Sequence, residues 1–122
     1  MKARNLKESF VYALSGLKET VIKERNMKIH LGAAVLALGL GGIFKISRLE
    51  WGLLVLTISS VLTAEMINTA VERVVDLVTD HYHPLAKAAK NVAAGAVFLS
   101  ALLAVIMGFI IFGPHIWIII KR

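Results

Sequence analysis

Glu65-x-x-Asn68-x-x-x-Glu72-x-x-x-Asp76 sets three carboxylates and a carboxamide three and four residues apart inside an otherwise apolar stretch. On a helix advancing about 100° per residue, these positions fall within an arc of roughly 80°, so their side chains share one face. Carboxylate oxygens are what a hard cation such as Mg²⁺ selects, and Mg²⁺ keeps part of its coordination for water or phosphate. A carboxylate that is not a ligand can take the proton of an attacking hydroxyl. With a lysine nearby, such a set suits phosphoryl transfer from a metal–nucleotide, a reaction governed by positioning and charge neutralisation. The stripe equally suits a polar clamp between helices or a path for ions, because intramembrane carboxylates also mark relays. Residue chemistry alone leaves these readings open.

The elements that must position the stripe are apolar helices. Of the 122 residues, 57% are hydrophobic, and the mean hydropathy is +0.74. A domain this small cannot bury so much apolar surface by itself, so lipid must cover the remainder. Three spans are predicted in one domain covering residues 1–122: 29–47, 51–78 and 91–120, each near or above the ~20 residues a hydrocarbon core requires. Residues 1–28 carry Leu6, Phe10, Ala13, Leu14, Leu17 and Val21 on one helical stripe, with charges elsewhere. An amphipathic helix beside a span is expected to lie at the membrane surface. Residues 79–90, which contain Pro84, are expected to connect the second and third spans.

Residues 1–28 hold seven Lys/Arg, and Arg73, Lys87 and Lys90 add three near the second connection. The other side carries Lys45, Arg48, Lys121 and Arg122. Ten cations against four place the N-terminus and the 79–90 connection in the cytoplasm and the C-terminus outside. The mixed, charged start does not read as a signal peptide, which leaves an inner, cytoplasmic-type cell membrane as the expected location. In that orientation Glu65, 14 residues beyond the interfacial Trp51, lies about 9 Å below the cytoplasmic boundary of a ~30 Å core. An ionisable group at that depth costs several kcal/mol unless it is paired, solvated or metal-bound. The stripe is therefore expected to line a cleft open to the cytoplasm.

Several chemistries are excluded or disfavoured. The chain has no cysteine, so thiolate metal sites and disulfides are ruled out. No P-loop and no Gly-rich kinase loop is present, and Gly39-Leu40-Gly41-Gly42 has no lysine at P-loop spacing and reads as helix packing. His81 and His83 lack a third ligand for zinc. Read singly, Glu24 is a solvated surface charge, Lys87 and Lys90 are membrane anchors, and His30 and His115 are interfacial residues without an assigned role. No nucleic-acid partner is expected.

Glu65-x-x-Asn68-x-Ala70-x-Glu72-x-x-x-Asp76, the segment Ala86-Lys87-Ala88-Ala89-Lys90-Asn91-x-Ala93-Ala94-Gly95-Ala96-Val97 and Glu24-Arg25-Asn26 together resemble the bacterial diacylglycerol kinase/undecaprenol kinase family. The likeness covers nearly the whole chain, and His83-Pro84-Leu85-Ala86-Lys87 is similar to the Gram-positive undecaprenol kinases within it. The resemblance implies an all-α membrane protein working as a homotrimer, with ATP, a lipid alcohol and Mg²⁺ as its partners. It implies Glu65 as general base, Glu24 and Glu72 as holders of the metal that bridges the ATP phosphates, and Asn68 and Asp76 as supporting residues. Lys90 would reach the phosphates, while Tyr12 and His81-Tyr82-His83 would lie against the nucleotide. Two departures stand out. Asn91 replaces the aspartate that follows the lysine in the family, which predicts weaker ATP binding or lower turnover than in relatives. The family's N-terminal arginine aligns with Asn5, one step from Arg4, and is left out of the site.

Overall fold

Capping chemistry and apolar length divide the chain into four helices in the computed structural model, which describes residues 2–122. Helix α1 (Leu6–Lys23) begins where the Asn5 side chain accepts the Glu8 backbone N–H at 2.9 Å. The Glu8 carboxylate in turn accepts from the Arg4 backbone N–H and guanidinium at 2.8 and 2.9 Å, a reciprocal arrangement close to a capping box. These contacts from Arg4 hold the Glu8 carboxyl below the usual carboxylate range. Arg4 is thus committed to the start of α1.

Helix α1 stops at Glu24, whose φ of −94° and ψ of 118° are extended. The Glu24 N–H donates to the Thr20 carbonyl at 3.0 Å, and the Glu24 carbonyl accepts from Lys28 at 3.3 Å. One residue therefore closes α1 and opens α2 (Arg25–Phe44). The sequence reading carried the surface helix to residue 28; the break falls earlier, and residues 25–28 belong to α2.

Helix α2 ends in a Schellman-type turn. The Lys45 N–H donates to Gly42 at 3.3 Å and the Ile46 N–H to Gly41 at 3.2 Å, with Lys45 in the left-handed region at φ 51°. Gly41 is needed here for a second reason. A Cβ at this position would come within 2.7 Å of the Trp51 ring and 3.1 Å of Ile46. Replacing Gly41 with Leu is expected to destabilise the protein by about 1–3 kcal/mol, the usual scale of overpacking. A lower thermal midpoint in detergent would report it.

Helix α3 (Arg48–Val78) starts at Ser47, whose hydroxyl oxygen accepts the Glu50 N–H at 3.2 Å. Helix α4 (Pro84–Ile120) starts at His83, whose Nδ1 accepts the Leu85 N–H at 3.1 Å. Pro84 suits this position because its missing N–H would find no helical partner. Residues 84–90, expected from sequence to be part of a connection, are therefore the first turns of α4, and the true connection is 79–83. Pro84 marks a helix start, not a loop interior.

Helices α2, α3 and α4 are each long and apolar enough to cross a bilayer, which makes this a membrane protein. Helices α3 and α4 pack most extensively, α2 lies mainly on α3, and α1 touches the bundle lightly. Far from Glu65, Ile46, Leu54, Ile111 and Phe112 form a small core with Trp51 packed on it. The Glu50–His115 contact at 2.9 Å ties α3 to α4 at that end. Within α3, the Thr57 and Ser60 hydroxyls donate to the Leu53 and Leu56 carbonyls, so neither is left unpaired. With 31 and 37 residues, α3 and α4 measure about 46 and 55 Å, well beyond a ~30 Å core. Their ends joined by the 79–83 connection carry Asp76, Lys87 and Lys90.

Candidate active site

Most large apolar side chains of this chain are exposed to its surroundings, yet a carboxylate is among the most enclosed groups. Met27, Ile111 and Glu65 are the largest fully buried side chains. Around Glu65 (2% exposed), Asn68 (5%) and Thr69 (3%) complete a buried polar patch on α3. Glu65 Oε2, Asn68 Oδ1 and Thr69 Oγ1 are all buried without a hydrogen-bond partner. Each such orphan costs about 1–3 kcal/mol, and more for a charge. Three such oxygens side by side call for partners from outside the chain, such as water or a ligand.

Neighbouring elements add further charges. Glu72, one turn beyond Asn68, has its Oε1 at 3.5 Å from the Asn68 side-chain amide, a weak contact. Glu24, at the α1–α2 corner, reaches the stripe's helix through Arg73, the residue after Glu72. Glu24 meets Arg73 at 3.5 Å, and Arg73 also meets Glu19 at 3.3 Å. Lys23, then Arg73, hold the Glu19 carboxyl below the usual range, so this tie weakens only when pH falls through that lowered value. His30 reaches from α2 to 3.7 Å from Glu65 Oε2.

A second group of expected residues lies around the connection between α3 and α4. Asp76, His81, Tyr82, His83, Lys90 and Asn91 all line one cleft of about 470 Å³, together with Asp80 and Lys87. Lys90 donates to Asp76 at 2.6 Å across that cleft. His81 and Tyr82 are exposed, whereas His83 uses Nδ1 to cap α4 and presents only its other ring nitrogen. Asp76 joins the two groups, being one helical turn past Glu72 on the same helix. Tyr12 stands apart: it is half exposed on α1 and does not line the cleft.

Glu24 and Glu72 offer oxygen donors of the kind a hard divalent cation selects. Glu24 and Glu72 have only long contacts, at 3.5 Å, so their carboxylates are not committed to strong partners. Among the described residues no group of three or more acidic, His or Cys side chains is gathered for a metal. Two carboxylates are what Mg²⁺ draws from protein when phosphate oxygens and water supply the rest.

Three neighbours escaped the sequence reading. Thr69 was within its reach, because it sits one turn from Glu65 on the same helical face. His30 and Arg73 act across helices, and their spacing in the sequence gives no sign of it.

Residues 11–112 match the model of the family described as prokaryotic diacylglycerol kinase. The undecaprenol kinase of Bacillus subtilis is 45% identical over 109 residues, covering 89% of each chain. A diacylglycerol kinase of Synechocystis sp. is 42% identical over 107 residues, covering 87% of this chain and 61% of that protein. The diacylglycerol kinase of Escherichia coli K12 is 29% identical over 104 residues, covering 85% of each chain. These likenesses decide between the readings that the carboxylate stripe left open. The chain belongs to the prokaryotic diacylglycerol kinase family and is a membrane-embedded lipid kinase with ATP as its phosphate donor.

Proposed function

We propose that this kinase phosphorylates undecaprenol, giving undecaprenyl phosphate. The observation that carries the chemistry is the Glu65 carboxylate, buried on the helix face that continues through Glu72 to Asp76. Support for the polyprenol comes from the undecaprenol kinase at 45% identity over most of both chains.

Glu65 takes the proton of the lipid hydroxyl as its oxygen attacks the γ-phosphorus of ATP. The new O–P bond forms while the bond from that phosphorus to the β–γ bridging oxygen breaks, and ADP leaves. Asn68 orients the Glu65 carboxylate from one turn along the same face. Glu24 and Glu72 hold Mg²⁺, which when bound neutralises phosphate charge. Lys90 turns from Asp76 towards the phosphates, and Asp76 supports the site from the end of α3. The loop residues His81, Tyr82 and His83 flank the nucleotide together with Asn91, and Tyr12 approaches it from α1.

Helix α1 lies in the headgroup plane with Leu6, Phe10, Leu14 and Leu17 towards the acyl chains. The N-terminus and the 79–83 connection face the cytoplasm, and the C-terminus faces outwards. Three copies assemble into a homotrimer. Three thin helices cannot enclose a nucleotide and a lipid alone, and the large exposed apolar surface supports that assembly.

Purified protein offered undecaprenol and diacylglycerol side by side with labelled ATP tests the acceptor. Undecaprenyl phosphate is expected as the main product; preferential labelling of diacylglycerol would assign this chain the activity of its Synechocystis relative. Restoring a carboxylate with Asn91→Asp is expected to raise kcat/KM for ATP roughly fivefold, since a contact to a charged group exceeds a neutral one by about 1 kcal/mol. An unchanged kcat/KM would remove Asn91 from the nucleotide site.

A further inference from the structure

We infer that His30 is a positioning residue for Glu65: its Nε2–H donates to Glu65 Oε2 and leaves the other carboxylate oxygen for the acceptor hydroxyl. The inference rests on Glu65 being the base. Two independent observations carry it. Glu65 Oε2 is buried and has no hydrogen-bond partner, and His30 Nε2 is the side-chain cation-forming group that approaches it, at 3.7 Å. That gap is beyond hydrogen-bond length, so the bond requires the two side chains to close on each other.

The placement of His30 comes from the way α2 packs. Met27, Ala34 and Gly41 are buried, and His30, three residues after Met27, falls on the same side of the helix. It is the polar member of an otherwise apolar or small-residue face. The imidazole also lines one end of an apolar groove of about 290 Å³ between α2, α3 and α4, beside Ala33, Ala37 and Val61. Thr57, the other polar side chain on that groove, has its hydroxyl donated to the Leu53 carbonyl. Among the described residues, Glu65 is the acid within ion-pair reach of His30.

A carboxylate has two equivalent oxygens and rotates freely unless one is held. A base must meet its proton within about 2.6–3.2 Å, so a carboxyl group that swings away spends much of its time unproductive. Holding Oε2 fixes the plane of the group and directs Oε1. In this low-dielectric setting one such hydrogen bond is worth more than it would be in water. The role resembles that of the outer partners which orient metal-binding histidines, where losses of 10–100-fold are typical.

The test compares His30→Leu and His30→Gln in the full-length protein in lipid vesicles. Glutamine places an N–H donor near the position of Nε2, and leucine does not. His30→Leu is expected to lower kcat about 10–100-fold with KM for ATP and for the lipid unchanged. His30→Gln is expected to recover activity to within about threefold of the parent. Equal losses in both variants, or a raised lipid KM with kcat intact, would overturn the positioning role. Glu65→Gln is assayed alongside. If it is inactive while His30→Leu turns over normally, only the inference about His30 fails; if it is active, the base assignment fails first.

Discussion

Glu65→Gln is expected to lower phosphate transfer by roughly 10²–10⁴-fold, the range that a positioned general base contributes. The amide keeps the shape and volume of the side chain but cannot accept the proton of the lipid hydroxyl. The buried patch around it should survive, because Gln brings an N–H₂ that can pair with the orphaned oxygens of Asn68 or Thr69. Binding of Mg·ATP should therefore be retained, since Glu65 is not among the proposed metal ligands. Isothermal titration with a non-hydrolysable ATP analogue, run beside the turnover assay, separates the two effects. Lost binding would mean that Glu65 holds the metal or the nucleotide instead of the proton.

Glu72→Gln is expected to have the next largest effect, weakening Mg·ATP binding by about 100-fold. Loss of one interaction of about 2–3 kcal/mol with a charged group gives that factor. The Asn68 contact at 3.5 Å is too long to anchor Glu72, so its structural contribution is small and the thermal midpoint should barely move. Raising the Mg²⁺ concentration should recover part of the lost activity, because a weakened metal site responds to mass action. A Glu72→Gln protein that binds Mg·ATP like the parent would leave Glu24 without its partner ligand and undo the proposed metal site. Glu24 is expected to give a smaller change on substitution. Its ion pair with Arg73 must be given up when it turns to a metal, so part of its binding energy is already offset.

The stripe was legible because a helix repeats every 3.6 residues and lipid penalises buried charge. Those two facts put Glu65, Asn68, Glu72 and Asp76 on one face and implied a purpose for them. The three spans were legible from apolar length alone. Helix ends were less so: Pro84 is compatible with both a loop and a first helical turn, and only the His83 cap separates them. The break at Glu24 carries neither glycine nor proline, so nothing in the local sequence announced it. Glu24 entered the expected site only through family resemblance, since a lone acid on an amphipathic helix is ordinarily solvated. His30 and Arg73 depend on which faces of α2 and α3 meet, and single-sequence periodicity does not determine that.

The arrangement also accounts for the length of α3 and α4. A site buried wholly within the apolar layer could not receive a triphosphate. A site wholly outside it would not meet a lipid hydroxyl. Asp76 and Lys90 meet near the α3–α4 connection, and Glu65 lies about 16 Å further down α3 from Asp76. One helix face thus runs from the cleft beside the 79–83 connection to the buried carboxylate.

The location of the metal–nucleotide tests this arrangement most directly. The chain has no cysteine, so a single introduced one takes a nitroxide label cleanly. In the Glu65→Gln background, expected to hold ATP with turnover lowered, Leu85→Cys and Lys121→Cys place labels at opposite ends of α4, about 54 Å apart. With Mn²⁺·ATP in place of Mg²⁺·ATP, pulsed electron paramagnetic resonance should find the metal within about 20 Å of the label at position 85 and beyond about 35 Å from that at 121, distances that follow from the helical rise. A metal nearer to position 121, or equally distant from both, would contradict a nucleotide site at the α3–α4 connection.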